Sequence, residues 1–275
     1  MRRPSVLGLV GAGCLLVLST LAMYADIDNA GKLLVVAWVA FGAMTVAGAL
    51  GARTGDRSAG TLVWGNGLAA GAMVTSAAVF LLPTAINHQA QWGGVGVASG
   101  LLIGYGAHTV GHRLAHMDLP MDRTVAELTA HALSAGAIIG VVYGNMNVSL
   151  LLGLSIVSHK GPAGYAAAGR LVRDGRDWSV LLLPAAGVGL TAIAASLVAL
   201  PAAPAVRGVV FGFATGVFLH VAMDFLPRCE IGSEVHDALS VDGEAHHILD
   251  RLRVHAVAST AVGGAVVLLS WVAIA

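Results

Sequence analysis

Charge is what this chain has least of. Only 11% of its 275 residues are Asp, Glu, Lys or Arg, against 57% hydrophobic, and the mean hydropathy is +0.81. A soluble domain of this length needs about a quarter of its residues charged, so that class is excluded. Fifteen basic and fifteen acidic side chains balance, and no net basic field is left to hold a nucleic acid. Two cysteines, Cys14 in an apolar run and Cys229 in a polar stretch, exclude a disulfide framework. No Gly-x-Ser-x-Gly elbow and no pair of intramembrane aspartates is present, which argues against a hydrolase and for a non-enzyme. Aromatic residues are sparse at 5%, whereas glycine is abundant at 36 residues, as expected where membrane helices approach closely. What remains is an all-α, multi-pass membrane protein in a lipid bilayer.

Apolar runs long enough to cross a bilayer fall at 5–25, 33–52, 60–84, 94–115, 125–144, 147–170, 179–200, 204–226 and 253–274. They predict nine transmembrane helices in a polytopic bundle. If the chain starts inside, alternation puts Arg2, Arg3, Arg53, Arg57, Arg113, Arg123, Arg170, Arg173, Arg176, Arg228, Arg251 and Arg253 on one side. Only Lys32 and Arg207 fall on the other, and Lys160 lies within a span. That asymmetry predicts a cell-membrane protein with a cytoplasmic N-terminus and an outside C-terminus. The first span also resembles a signal peptide, but its run is long and no Ala-x-Ala precedes Asp26, so an uncleaved helix is expected. The stretch 227–251 reads as a polar cytoplasmic loop, and no 20–50-residue repeat is visible.

Two histidines flank one turn at equal distance. His131 and His159 each lie fourteen residues from Asn145 in the Gly-Asn-Met-Asn turn. On two helices that spacing sets both imidazoles about 21 Å below the turn, within a hydrocarbon core about 30 Å thick. Level histidines on adjacent antiparallel helices suit a shared metal site, and neutral imidazole favours zinc and other borderline metals. Lys160 lies beside them, too deep to snorkel to either surface. It is therefore expected to face the bundle interior near His131, either as the neutral amine or paired with a carboxylate, for which Glu127 and Asp224 are the nearest candidates. Ser134 and His220 complete the expected transport pathway; taken alone, His108 or His220 reads first as a hydrogen-bonded core residue that holds helices together.

The segments His131-Ala132-Leu133-Ser134-Ala135-Gly136 and His159-Lys160-Gly161-Pro162-Ala163-Gly164 resemble the paired signatures of the ZIP (Zrt/Irt-like) family of divalent metal transporters. In that family each signature reads near His-Asn-x-Pro-Glu-Gly on the fourth and fifth core helices. Phe80-Leu81-Leu82-Pro83 and Asp224-Phe225-Leu226-Pro227 are similar to the ends of its second and seventh core helices. The resemblance implies an eight-helix core over residues 33–275, preceded by an extra N-terminal helix within 1–32. It also implies a divalent cation as substrate, zinc foremost, moved toward the cytoplasm through a midplane site, with no cofactor required. The family's bridging carboxylates would fall at Ala135 and Ala163, and its Asn/Asp-type ligands at Ala132 and Lys160. Two readings follow: a single-ion or altered-substrate site in which Lys160 replaces a second metal, or a scaffold retained for a sensor or accessory role.

Weaker signals lie on the cytoplasmic side. His108, His112 and His116 recur every four residues and share one helix face, with Asp118 beyond them. His236, His246 and His247 fall in the polar loop. Both groups are candidate loading sites for metal or simply solvated surface. His108-x-x-x-His112 with His246-His247 also resembles the histidine boxes of membrane metalloenzymes, a minor alternative because such boxes come in larger sets. Gly65-x-Gly67 and Gly93-Gly94 permit close helix contacts and a homodimer.

Overall fold

The computed structural model describes residues 5–25, 30–54, 59–114, 122–146, 148–227, 229 and 245–274. Among them every regular element is helical and no strand occurs. In chain order these are α1 (Val6–Tyr24), α2 (Ala30–Thr54), α3 (Ala59–Ser76), a π-helical turn (Ala77–Leu81) and α4 (Leu82–Leu114). Then come α5 (Arg123–Asn145), α6 (Leu150–Val157), α7 (Lys160–Arg173), a 3₁₀ turn (Trp178–Leu181), α8 (Leu182–Ala195), α9 (Pro204–Phe225) and α10 (Ala245–Ile274).

Seven stretches among the described residues are long and apolar enough to cross a membrane. Three sequence expectations change in detail. The runs 60–84 and 94–115 join into one 48-residue helical stretch, Ala59–Gly106, bent at Gln89, where φ is −165° and ψ 113°. The run 147–170 is not one helix, because Ser158 and His159 separate α6 from α7. Pro162 supplies the cause: it has no N–H for the Ser158 carbonyl one turn earlier. The polar loop is shorter than 227–251, since α10 already begins at Ala245 and takes in His246 and His247.

Packing is close because glycine removes the side chains that would hold helices apart. In the α4–α9 seam, a Cβ on Gly100 would overlap the Phe213 carbonyl, and one on Gly212 would overlap that of Gly93. Gly136, Gly140 and Gly144 of α5 meet the backbone of α8 in the same way, and Gly67, Gly71 and Gly263 seat α3 against α10. Gly65 rests near Pro162 of α7. Gly65, Gly67 and Gly93 therefore pack within the chain, while Gly94 meets open space. The partners form matched pairs: α4 with α9 and α3 with α10, α5 with α8 and α2 with α7. Exchanging α2–α3–α4 with α8–α9–α10, and α5 with α6–α7, leaves this set unchanged. No repeat is visible along the chain because the correspondence lives in packing, not in residue identity.

The first helix belongs to the bundle. It packs on α8, the Ser5 amide donates to Ser179 Oγ at 2.7 Å, and Trp38 Nε1 of α2 donates to Ser19 Oγ at 3.2 Å. Both ends of the central α5 are tied down. At one, Asn145 Nδ2 donates to the Val198 carbonyl at 2.7 Å while its Oδ1 accepts from the Leu200 amide at 2.6 Å. At the arginine-rich end, Asp122 caps α5 through the Thr124 amide at 2.9 Å and pairs with Arg176 at 2.7 Å. Arg176 is brought there by Gly175, whose φ of +71° closes α7 with a left-handed residue.

Candidate metal site

The interruption between α6 and α7 builds half of the site. Freed carbonyls at a helix end must find donors. His159 Nδ1 donates to the Ile156 carbonyl at 2.6 Å, and Ser158 Oγ donates to the Ser155 carbonyl at 2.6 Å. The first of these bonds fixes the ring and its tautomer, because a carbonyl can only accept. His159 Nε2 is left as the nitrogen that faces the bundle, on a side chain only 2% exposed.

The other half comes from α5. His131 Nε2 lies 3.2 Å from His159 Nε2, with ring centroids 5.3 Å apart and planes inclined at 72°. The two imidazoles thus face one another edge to edge, nitrogen to nitrogen. One ion bonded to both at about 2.1 Å would hold them about 3.0 Å apart at a right angle and about 3.4 Å apart at a tetrahedral angle. The observed spacing falls between those limits. The same spacing also fits a hydrogen bond from His131 to His159.

Lys160, 2% exposed, is buried directly after His159. No hydrogen bond or ion pair to its amine is found among the described residues, so neither Glu127 nor Asp224 is the expected partner. Glu127 lies on an exposed face of α5. Asp224 is instead 3.4 Å from His220 Nε2, one turn away on α9. Phe225 closes the group from α9, with its ring centroid 4.9 Å from that of His159.

Other candidates stand apart. Ser134 is exposed and its hydroxyl donates to the His131 carbonyl at 3.0 Å, so it shares the helix but not the nitrogen pair. Ala132 and Ala135 are buried, the first against Gly187 of α8, and Ala163 is partly buried; none offers a donor. Among the described residues no group of three or more His, Cys, Asp or Glu side chains is arranged to hold a metal. His108 and His112 fall within α4, and His246 and His247 open α10, where His247 is exposed. His116, Asp118 and His236 lie outside the described residues.

Sequence reasoning missed two features. One is Phe225, hidden as an ordinary apolar residue. The other is a buried hydroxyl contact between Ser76 of α3 and Ser155 of α6, which a single serine in a hydrophobic run does not announce. Beside Gly161 and Pro162, on the arginine-rich side of the pair, a cavity of about 210 Å³ opens between α2, α3 and α7, with Thr61 and Asn66 in its wall. No protein-family model matches the chain, and no curated protein is significantly similar to it.

Proposed function

We propose that this protein is a divergent ZIP-like transporter that carries a divalent metal cation, zinc foremost, across the cell membrane. The substrate binds between His131 and His159 and leaves toward the cytoplasm. The observation that carries the reading is the 3.2 Å separation of the Nε2 atoms of a partly buried His131 and a buried His159, the second fixed in its tautomer by the Ile156 carbonyl. Neutral imidazole pairs suit zinc, and a backbone carbonyl that orients a ligand ring through its other nitrogen is a common feature of such sites.

The architecture supports transport as well. To the seven long apolar stretches among the described residues this reading adds two crossings, by dividing Ala59–Gly106 at its bend and by taking α6 with α7 as one broken crossing. Four crossings lie between α2 and α8, so the exchange that preserves the packing relates segments of opposite direction. Inverted repeats with a discontinuous helix at a midplane site are a recurring build of secondary transporters. Basic residues at Arg53, Arg170, Arg173, Arg176, Arg251 and Arg253 give the side of the 210 Å³ cavity as cytoplasmic. The N-terminus is then inside and the C-terminus outside.

A second reading rests on Lys160 and on alanine at positions 132, 135 and 163. With two imidazoles and a neighbouring amine, the scaffold serves as a sensor or accessory protein that moves no metal. Zinc, manganese and iron uptake into proteoliposomes separates the two. Saturable uptake of at least one metal, lost in the His131→Ala/His159→Ala variant, supports transport. No uptake of any, from protein that is folded and correctly inserted, supports the second reading.

A further inference from the structure

The side of the histidine pair toward Asn145 is sealed. Leu152, Ile156, Ile139 and Tyr143 are all 2–3% exposed or less, and the Tyr143 hydroxyl accepts from the Gly153 amide at 2.9 Å. Within this apolar layer Ser76 (0% exposed) and Ser155 (5%) touch through their hydroxyls. Ser155 stands one helical turn ahead of His159, about 6 Å further out. The contact therefore crosses from α3 to α6 directly above the candidate site.

Its chemistry makes it separable. Ser155 Oγ donates to the Leu152 carbonyl at 2.8 Å, so in the contact it is the acceptor and Ser76 the donor. Ser76 Oγ also lies 2.7 Å from the Ala72 carbonyl on its own helix. When the helices part, the Ser76 proton turns to Ala72, and no buried donor is stranded. A contact between two apolar side chains would be as easy to part but would offer a passing cation nothing. A buried ion pair would strand charges. The π-helical turn Ala77–Leu81 follows Ser76 immediately, and such turns often mark functional positions in helices.

We propose that Ser76 and Ser155 form the outer gate of the transport pathway: their hydroxyl contact opens to admit the cation and lends it oxygen donors on its way to His131 and His159. The gate rests on the transport reading, and its test has a readout independent of metal movement. In a Cys14→Ala/Cys229→Ala background, Ser155→Cys is treated from outside with a small membrane-impermeant methanethiosulfonate. The gate predicts modification from outside; in a second variant, with His131→Cys as a reporter below the contact, joining Ser76→Cys to Ser155→Cys by diamide should protect the reporter from the outside reagent. It also predicts that joining them removes zinc uptake, which a reductant restores. A thiol in the Ser155→Cys variant that stays unmodified from outside yet reacts from the cytoplasmic face overturns the gate, as does full uptake by the cross-linked protein. If the unmodified protein moves no zinc, manganese or iron, the metal reading fails; protection of the His131→Cys reporter by the cross-link then still supports a gate on this pathway, and a reporter that reacts equally from outside with and without the cross-link still overturns it.

Discussion

Replacing Lys160 with methionine tests the electrostatics of the site. The side chain is 2% exposed, and methionine matches its length without the amine. Taking an amine out of water costs about 1–3 kcal/mol even in its neutral form. Lys160→Met should therefore stabilise the protein by that amount, a rise in Tm of roughly 2–10 °C for a chain of this size. The effect on zinc should be larger. Whenever the amine is protonated, a unit positive charge at about 8 Å would repel a dication by about 4 kcal/mol at an effective dielectric constant of about 20. Removing that charge should tighten zinc binding by up to about 1,000-fold. Titration calorimetry in detergent, with a parallel thermal unfolding series, reads both effects. A lower Tm together with weaker zinc binding would refute the repulsion and make the amine a necessary member of the site.

Lys160→Asp goes further: if lysine stands where a second cation would sit, the carboxylate should raise affinity for zinc, manganese or iron, and calorimetry with no gain for any of them counts against that role. Gly212→Val pushes a side chain into the Gly93 carbonyl across the α4–α9 seam, and overpacking of this kind should cost about 1–3 kcal/mol, read as a fall in Tm; an unchanged Tm would mean that the seam is looser than described. A cysteine at Asp174 should react with impermeant reagents only from the cytoplasm and one at Ala202 only from outside, and the reverse pattern would invert the topology.

The sequence carried the membrane class, the helical content and the meeting of two histidines, because each rests on a local physical rule. Hydropathy alone locates most spans. Equal spacing from Asn145 brought His131 and His159 to one depth even though the second helix is broken, since the break falls at His159 itself. That break was legible in Gly161-Pro162, yet a long apolar run hides it. Lys160 was rightly expected in the interior; of its two expected states the carboxylate-paired one is not found among the described residues, because Asp224 lies beside His220 on its own helix and Glu127 is on an exposed face. The Ser76–Ser155 contact and the paired packing of the two helix triplets depend on which helices neighbour one another. That information is tertiary, and no window of sequence contains it.

The shared-ion site is tested most directly by zinc uptake into proteoliposomes by the unmodified protein and by His131→Ala, His159→Ala and the double variant. One ion held by both nitrogens makes the two losses non-additive: each single change should cut uptake affinity by at least about 10–100-fold, and the double change should add little. Independent effects that sum, or uptake that survives loss of both imidazoles, would contradict a common site.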